Sequence, residues 1–190
     1  MTNDSLHDPN DSDEVARFTF IYQSNYAKVF SYALAYNQRS MAEDVANETF
    51  MTAWRKLDAV PHDDPLPWLL GVARNHRLKQ FAAGRRHETI AQRIAQLTDE
   101  RDVAAWDIGD LVVERDAVLA AFASLSGQDA EILILSAWYG LTPAQTATVL
   151  GCTTALYYVR IHRARRRLAH ALKQGAPSVT FPKDVLEGHR

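Results

Sequence analysis

Arg160, Arg163, Arg165, Arg166 and Arg167 crowd eight successive positions with no acid among them. Across residues 132–183 the remaining charges are Lys173 and Lys183, again without an acid. A second acid-free basic block covers residues 71–87 and holds Arg74, Arg77, Lys79, Arg85 and Arg86. Guanidinium groups present forked donors that suit phosphate oxygens and guanine edges, so two such blocks fit two contacts with a polyanion. Between them, residues 88–116 carry eight acids against three arginines. The net charge of -2 therefore hides a segregated pattern. On charge alone, solvated helix faces account for both blocks equally well.

The elements that carry the second block sharpen the choice. Gly140-Leu141-Thr142-Pro143 reads as a helix end followed by a helix start: Thr142 caps and Pro143 fits the first turn. Ala144 and Ala147 are small enough for two helices to cross closely. Leu150-Gly151-Cys152-Thr153 then forms a turn, Gly151 suiting a left-handed backbone, and Thr153 or Thr154 caps the next helix. A short helix, a glycine-containing turn and a longer basic helix make a helix-turn-helix pattern. In that pattern the second helix enters a DNA major groove. Its early side chains, at base edges, are Thr153, Thr154, Tyr158 and Arg160, followed by His162 and Arg163. Arg165, Arg166 and Arg167 reach phosphates, which fix register without reading sequence.

Further upstream, apolar residues recur at spacings of three and four. Phe18, Ile21, Tyr22, Tyr26, Val29, Phe30 and Ala33 define one buried face of a helix over 15–36. Val45, Phe50, Ala53, Trp54 and Leu57 define another over 41–57, whose polar side carries Glu43, Asp44, Asn47 and Glu48 first and Arg55 last. Pro61, Pro65 and Pro67 with Asp63 and Asp64 predict a loop. A third helix starts near Leu66 or Pro67, places Trp68, Leu69, Val72 and Ala73 inward, and allows a break at Asn75-His76. Helices over 111–125, 128–139, 142–150 and 153–173 follow, and nothing reads as a strand. The expected fold is all-α: two small helical domains joined by an acidic linker, the C-terminal one containing the helix-turn-helix. The boundaries are a disordered acidic extension at 1–14, domains at 15–87 and 111–173, a linker at 88–110 and a tail at 174–190.

Other chemistry finds little support. The 190 residues are 47% hydrophobic, which excludes wholesale disorder, yet no apolar run is long enough to cross a bilayer. The N-terminus is acidic and lacks the basic and apolar regions of a signal peptide. Cys152, the only cysteine, has no partner for a disulfide and no zinc-site neighbours. There is no glycine-rich phosphate loop and no nucleophile in a recognisable context. These features predict a cytoplasmic binding protein with no cofactor or metal, not an enzyme and not inserted in a membrane.

Longer stretches carry a family resemblance. Leu125-Ser126, Ile132-Leu133-Ile134-Leu135, Gly140-Leu141-Thr142, Ala147, Leu150-Gly151 and the run from Arg160 to Leu168 resemble the fourth conserved region of bacterial sigma factors. Ala42-Glu43-Asp44-Val45-Ala46-Asn47-Glu48-Thr49-Phe50 with Ala53-Trp54-Arg55, and Pro67-Trp68-Leu69-Leu70-Gly71-Val72-Ala73-Arg74-Asn75, are similar to the second region. The similarity is to the extracytoplasmic-function (ECF, group IV) members of the sigma-70 family. It covers roughly residues 15–87 and 111–172, with both regions in order.

The resemblance implies partners and roles. The partners are core RNA polymerase, through its largest-subunit coiled coil and its flap tip, promoter DNA in duplex and single-stranded form, and an anti-sigma factor. Asp44, Asn47, Glu48 and Phe50 would meet the coiled coil, though Phe50 reads more readily as core. Asn75, His76 and Arg77 would capture a flipped base of the minus-ten element, with Arg85 and Arg86 on its backbone. Asn75 also reads as a helix-end cap. Thr153, Thr154, Tyr158, Arg160, His162, Arg163, Arg166 and Arg167 would read the minus-thirty-five element as duplex. This chain departs from the family at Asn47, where Gln is usual, at Gln145, where Glu is common, and across Leu156-Tyr157-Tyr158-Val159. Either Tyr157 or Tyr158 packs while the other faces the groove. The competing reading is a helix-turn-helix regulator that acts without core polymerase. A receiver domain of that class would need alternating strands, which residues 15–87 do not predict.

Overall fold

The computed structural model describes residues 9–82, 118 and 120–175. Helix α1 spans Pro9–Leu34. Its buried residues Ile21, Asn25, Val29, Tyr32 and Ala33 follow the spacing of one helical face. It opens six residues before the periodicity at Val15, so residues 9–14 belong to a helix and not to the disordered extension expected there. Asn37, buried just beyond its end, donates from Nδ2 to the Ala33 carbonyl at 2.8 Å, which also accepts from the Tyr36 amide at 3.1 Å and so closes the last turn.

Helix α2 spans Arg39–Arg55 and buries Ala42, Val45, Ala46, Thr49, Phe50 and Ala53. Thr49 sits on that apolar face without cost to hydrogen bonding, because its hydroxyl donates to the Val45 carbonyl at 2.7 Å. A 3₁₀ turn, Leu57–Ala59, follows. The Arg17 guanidinium of α1 donates to the Leu57 and Val60 carbonyls at 3.0 and 2.6 Å, tying this turn to the first helix. Helix α3, Leu66–Ala82, runs through Asn75 and His76 without the break the sequence allowed.

The second unit begins with a helical segment that ends at residue 123. Helix α4, Gly127–Leu133, is capped by Ser126, whose Oγ accepts from the Asp129 amide at 3.2 Å. It widens into a π turn over Ile134–Trp138, closed by the Tyr139 amide donating to the Ile134 carbonyl at 3.2 Å. Helices α5, Pro143–Leu150, and α6, Thr154–Gly175, complete it. Tyr157, Ile161, Ala164, Leu168 and Leu172 bury one seam of α6 and hold it on α4 and α5.

The chain is thus two helical units, and no strand occurs among the described residues. The units meet where α3 lies on α5. Gly71 lies at this contact, where an added Cβ would stand 3.9 Å from the Val149 Cα, an ordinary van der Waals separation. The buried residues of both units join in one hydrophobic cluster. The expected acidic linker at 88–110, with Arg85 and Arg86, lies outside the described residues, as do the chain before Pro9 and the tail beyond Gly175.

Candidate nucleic-acid interface

The helix-turn-helix is assembled by local rules that its residues obey closely. Thr142 and Gln145 form a reciprocal capping box. The Gln145 amide donates to Thr142 Oγ1 at 3.3 Å, and the Thr142 amide donates to Gln145 Oε1 at 2.8 Å. Gln145 also donates from Nε2 to the Asp64 carboxylate at 2.7 Å. A glutamate could accept as the box requires but could not donate to Asp64, which gives the glutamine a physical reason. Pro143 fills the first turn, and Gly151 stands at φ 65° in the left-handed conformation at the end of α5. Thr153, not Thr154, caps α6, its Oγ1 accepting from the Leu156 amide at 3.2 Å.

Burying one seam of α6 turns the other residues outward. Tyr157 is 4% exposed, with its hydroxyl 3.1 Å from Ser136 Oγ, whereas Tyr158 is 57% exposed. Tyr157 therefore packs and Tyr158 faces outward, its ring edge-on to Tyr157 at 5.4 Å. Thr154, Arg160, His162, Arg163 and Arg166 are exposed on the same helix, as is its cap Thr153. Arg167 is exposed too but is paired with Asp129, which is buried and also accepts from Ser126 Oγ at 2.7 Å. Arg167 thereby fastens α6 to the cap of α4. Leu156 and Val159 are exposed beside these groups; the sequence reading assigned them nothing.

On the first unit, Asp44, Asn47 and Glu48 stand exposed on α2. Phe50 does not share that face. It is 3% exposed, with its ring 4.9 Å from Tyr22 and 5.8 Å from Tyr26. Helical spacing puts position 50 on the α1 side of α2 with Val45, Ala46, Thr49 and Ala53, so Phe50 packs in the core and not on the acidic face.

Asn75, His76 and Arg77 are not brought together. Successive residues on a helix diverge by about 100°, and these three take three environments. Asn75 is exposed. His76 leans on α2, Nε2 lying 3.1 Å from Thr52 Oγ1. Burial lowers its pKa, with Glu48 opposing and Lys79 adding to the shift. Arg77 turns inward and is 9% exposed.

The partner of Arg77 is a residue the sequence reading did not single out. Glu131 of α4, 3% exposed, receives Arg77 Nη2 at 2.7 Å, Arg74 Nε at 3.2 Å and the Tyr32 hydroxyl at 2.6 Å, all on Oε1. The Tyr36 ring lies 4.1 Å from the Arg77 guanidinium carbon. Burial first, and then the Glu131 charge, push the Tyr32 pKa well up, so its hydroxyl stays a donor. A carboxylate between Ala130 and the apolar run Ile132-Leu133-Ile134-Leu135 was the available signal. Its partners lie 99, 57 and 54 positions away, beyond any local pattern.

Comparison with known proteins agrees with these two units. Residues 21–87 match the family described as Sigma-70 region 2, and residues 115–168 match Sigma-70, region 4. The ECF RNA polymerase sigma factor SigL of Mycobacterium tuberculosis is 28% identical over 165 residues, covering 85% of this chain and 92% of SigL. The RNA polymerase sigma factor CnrH of Cupriavidus metallidurans is 30% identical over 144 residues, covering 68% of this chain and 72% of CnrH. The sigma factor RpoE of Bartonella quintana, solved in complex with the anti-sigma factor NepR, shares the fold at a TM-score of 0.58 and 24% identity. That match covers 82% of this chain and 96% of RpoE. A regulator acting without polymerase would have no use for region 2, and that reading is not favoured. The two matched regions and the similarity to CnrH show that the chain belongs to the sigma-70 family, in its ECF group, whose members direct promoter-specific initiation by RNA polymerase.

Proposed function

We propose that the second unit reads the minus-thirty-five element as duplex through the outward face of α6, and that the first unit melts and captures the minus-ten element. The observation that carries this is the division of α6: an apolar seam fixed on α4 and α5, and a free side bearing Thr154, Tyr158, Arg160, His162, Arg163 and Arg166. A helix so held can enter a groove as one rigid body. Asn75 is the member of the minus-ten set whose exposure suits a base that has left the stack. Asp44, Asn47 and Glu48 are the proposed contact with the polymerase coiled coil, and region 4 the contact with the flap tip.

The protein would work in the cytoplasm, and no helix among the described residues is long and apolar enough to cross a membrane. It would perform no chemistry of its own, lending specificity to the polymerase. Control by an anti-sigma factor is supported by RpoE, whose solved form holds NepR. Run-off transcription with core polymerase on a pool of genomic promoters tests the whole reading. Discrete transcripts that need both the chain and the core are expected; DNA binding by the chain with no added transcripts would overturn it.

A further inference from the structure

The contact between the units has a chemistry that ordinary core packing does not require. Two guanidinium groups and a phenol hydroxyl, all from the first unit, converge on one oxygen of Glu131 from the second. Arg77 Nε is buried there with no hydrogen-bond partner of its own. Around this centre the joint is held by polar groups at its edges. The Tyr139 hydroxyl donates to the Lys28 carbonyl at 3.0 Å, and Gln145 donates to Asp64. On the first unit alone, the cluster is a cationic pocket shaped for one anionic oxygen.

Size sets the consequence. Elements centred near minus ten and minus thirty-five are separated by roughly 25 base pairs, about 85 Å of duplex at 3.4 Å per step. A compact chain of this length has a radius of gyration of about 16 Å, so it is roughly 40 Å across. With α3 lying on α5, α6 and Asn75 cannot reach both elements. The joint must open before the promoter is read, and opening takes Glu131 out of the pocket.

We infer that Tyr32, Arg74 and Arg77 form an anion site on region 2, that Glu131 fills it and latches the closed chain, and that opening frees it for a backbone phosphate of promoter DNA. The inference rests on the two-element reading above. Glu131 stands where the phosphate oxygen would stand, so latch and DNA compete for the same donors. This also accounts for an arginine in the minus-ten segment that is buried while Asn75, two positions before it, is exposed. The closed chain withholds part of its own DNA-binding surface.

The test compares the full-length chain with Glu131→Gln, which keeps the side-chain shape and removes the charge. Small-angle scattering without DNA or polymerase should show a compact wild type and an expanded variant. Affinity for a mixed-sequence duplex of about 30 base pairs should rise at least tenfold. The slope of log affinity against log salt should steepen by about one, as expected for one further phosphate contact. Adding Arg74→Gln in the Glu131→Gln background should return the slope towards wild type.

Equal dimensions in both proteins would remove the latch. Expansion without a steeper slope would remove the phosphate site and leave only a joint. A second arm covers a variant that misfolds: Asp64→Cys with Gln145→Cys, in a Cys152→Ser background, bridged by a short reducible thiol cross-linker. The bridged chain should bind the duplex at least tenfold more weakly than the same chain after reduction, and equal binding overturns the inference. If no form binds duplex at all, the DNA-reading assignment has failed; scattering then still decides whether Glu131 holds the chain closed.

Discussion

The Tyr32 hydroxyl donates to Glu131 across 2.6 Å, joining residues 99 positions apart that belong to different units of the fold. Neither group is stable in that place alone. A buried carboxylate without partners costs several kcal/mol, and a buried hydroxyl without an acceptor about 1–3 kcal/mol. Together with Arg74 and Arg77 they satisfy one another, and the apolar residues around them exclude competing water. Such a joint is specific in register because each charge tolerates only one arrangement. It is also reversible in principle, since all the groups are well solvated once apart.

The acidic face of α2 gives the most direct test of polymerase docking. Asp44→Lys with Glu48→Lys should abolish capture by core polymerase while thermal unfolding stays close to wild type. Both side chains are exposed, and exposed changes usually alter stability by within about 0.5 kcal/mol. Reversing a charge inside a docked interface costs roughly 2–5 kcal/mol of binding. Undiminished pull-down of a folded double variant would mean that the polymerase uses another face.

Two arginines four positions apart on α6 should behave differently. Arg163→Ala removes an exposed group and should weaken binding to the upstream duplex by about 1–3 kcal/mol if it meets a base. Its effect on stability should be small. Arg167→Ala deprives the buried Asp129 of its ion pair and should lower the unfolding midpoint. Equal losses of stability in the two variants would show that the Asp129 pair contributes nothing.

Gly151→Ala probes the turn itself. At φ 65° a side chain pays the left-handed penalty of about 1–2 kcal/mol, while nothing lies within 4 Å of the added Cβ. The loss should therefore be backbone strain alone. Urea denaturation should show a destabilisation of that size, and Gly151→Asn should recover part of it because Asn tolerates this conformation. An alanine variant as stable as wild type would contradict the geometry of the turn.

His76 makes a pH-dependent contribution with a defined sign. Burial, the dominant cause, lowers its folded pKa below the usual 6.5, so the unfolded chain binds the proton more readily. Between those two pKa values the unfolded state holds more protons, and stability rises with pH. Stability should be unaffected by His76 above about pH 7 and should fall as pH drops through 6.5 towards the lowered value. His76→Gln, which cannot titrate, should flatten the difference between unfolding free energies at pH 7.5 and 5.5. A variant as pH-dependent as wild type over that interval would assign the effect to other groups.

Much of this was legible in the sequence because it is local. The helix-turn-helix follows from Thr142, Pro143 and Gly151, whose caps and turn act within a few residues. The outward placement of Asp44 and Glu48 follows from one helical period. The choice between Tyr157 and Tyr158 needed the packing partner Ser136, 21 positions earlier. The inward turn of Arg77 needed Glu131, and no spacing rule couples the two. Phe50 was open to both readings because an aromatic residue suits a core and an interface alike. The π turn at Ile134–Trp138 had no signature, since its residues also suit an ordinary helix.

Asn75 separates the two proposed modes of DNA reading. It is exposed on α3 while Arg77, two residues on, is buried. Asn75→Ala should barely change affinity for closed duplex, because its proposed partner exists only once a base has left the stack. It should reduce open-complex formation, seen as lower permanganate reactivity of unpaired thymines within the bubble. A template with a pre-melted, mismatched bubble should rescue it only in part, since melting is supplied but base capture is still lost. Arg163→Ala should be rescued better by the same template, as polymerase contacts to the bubble replace some of the lost duplex affinity. The opposite pattern, with closed-complex affinity lost and permanganate reactivity normal, would make Asn75 a duplex contact or a structural residue. The base-capture site would then have to lie elsewhere on region 2.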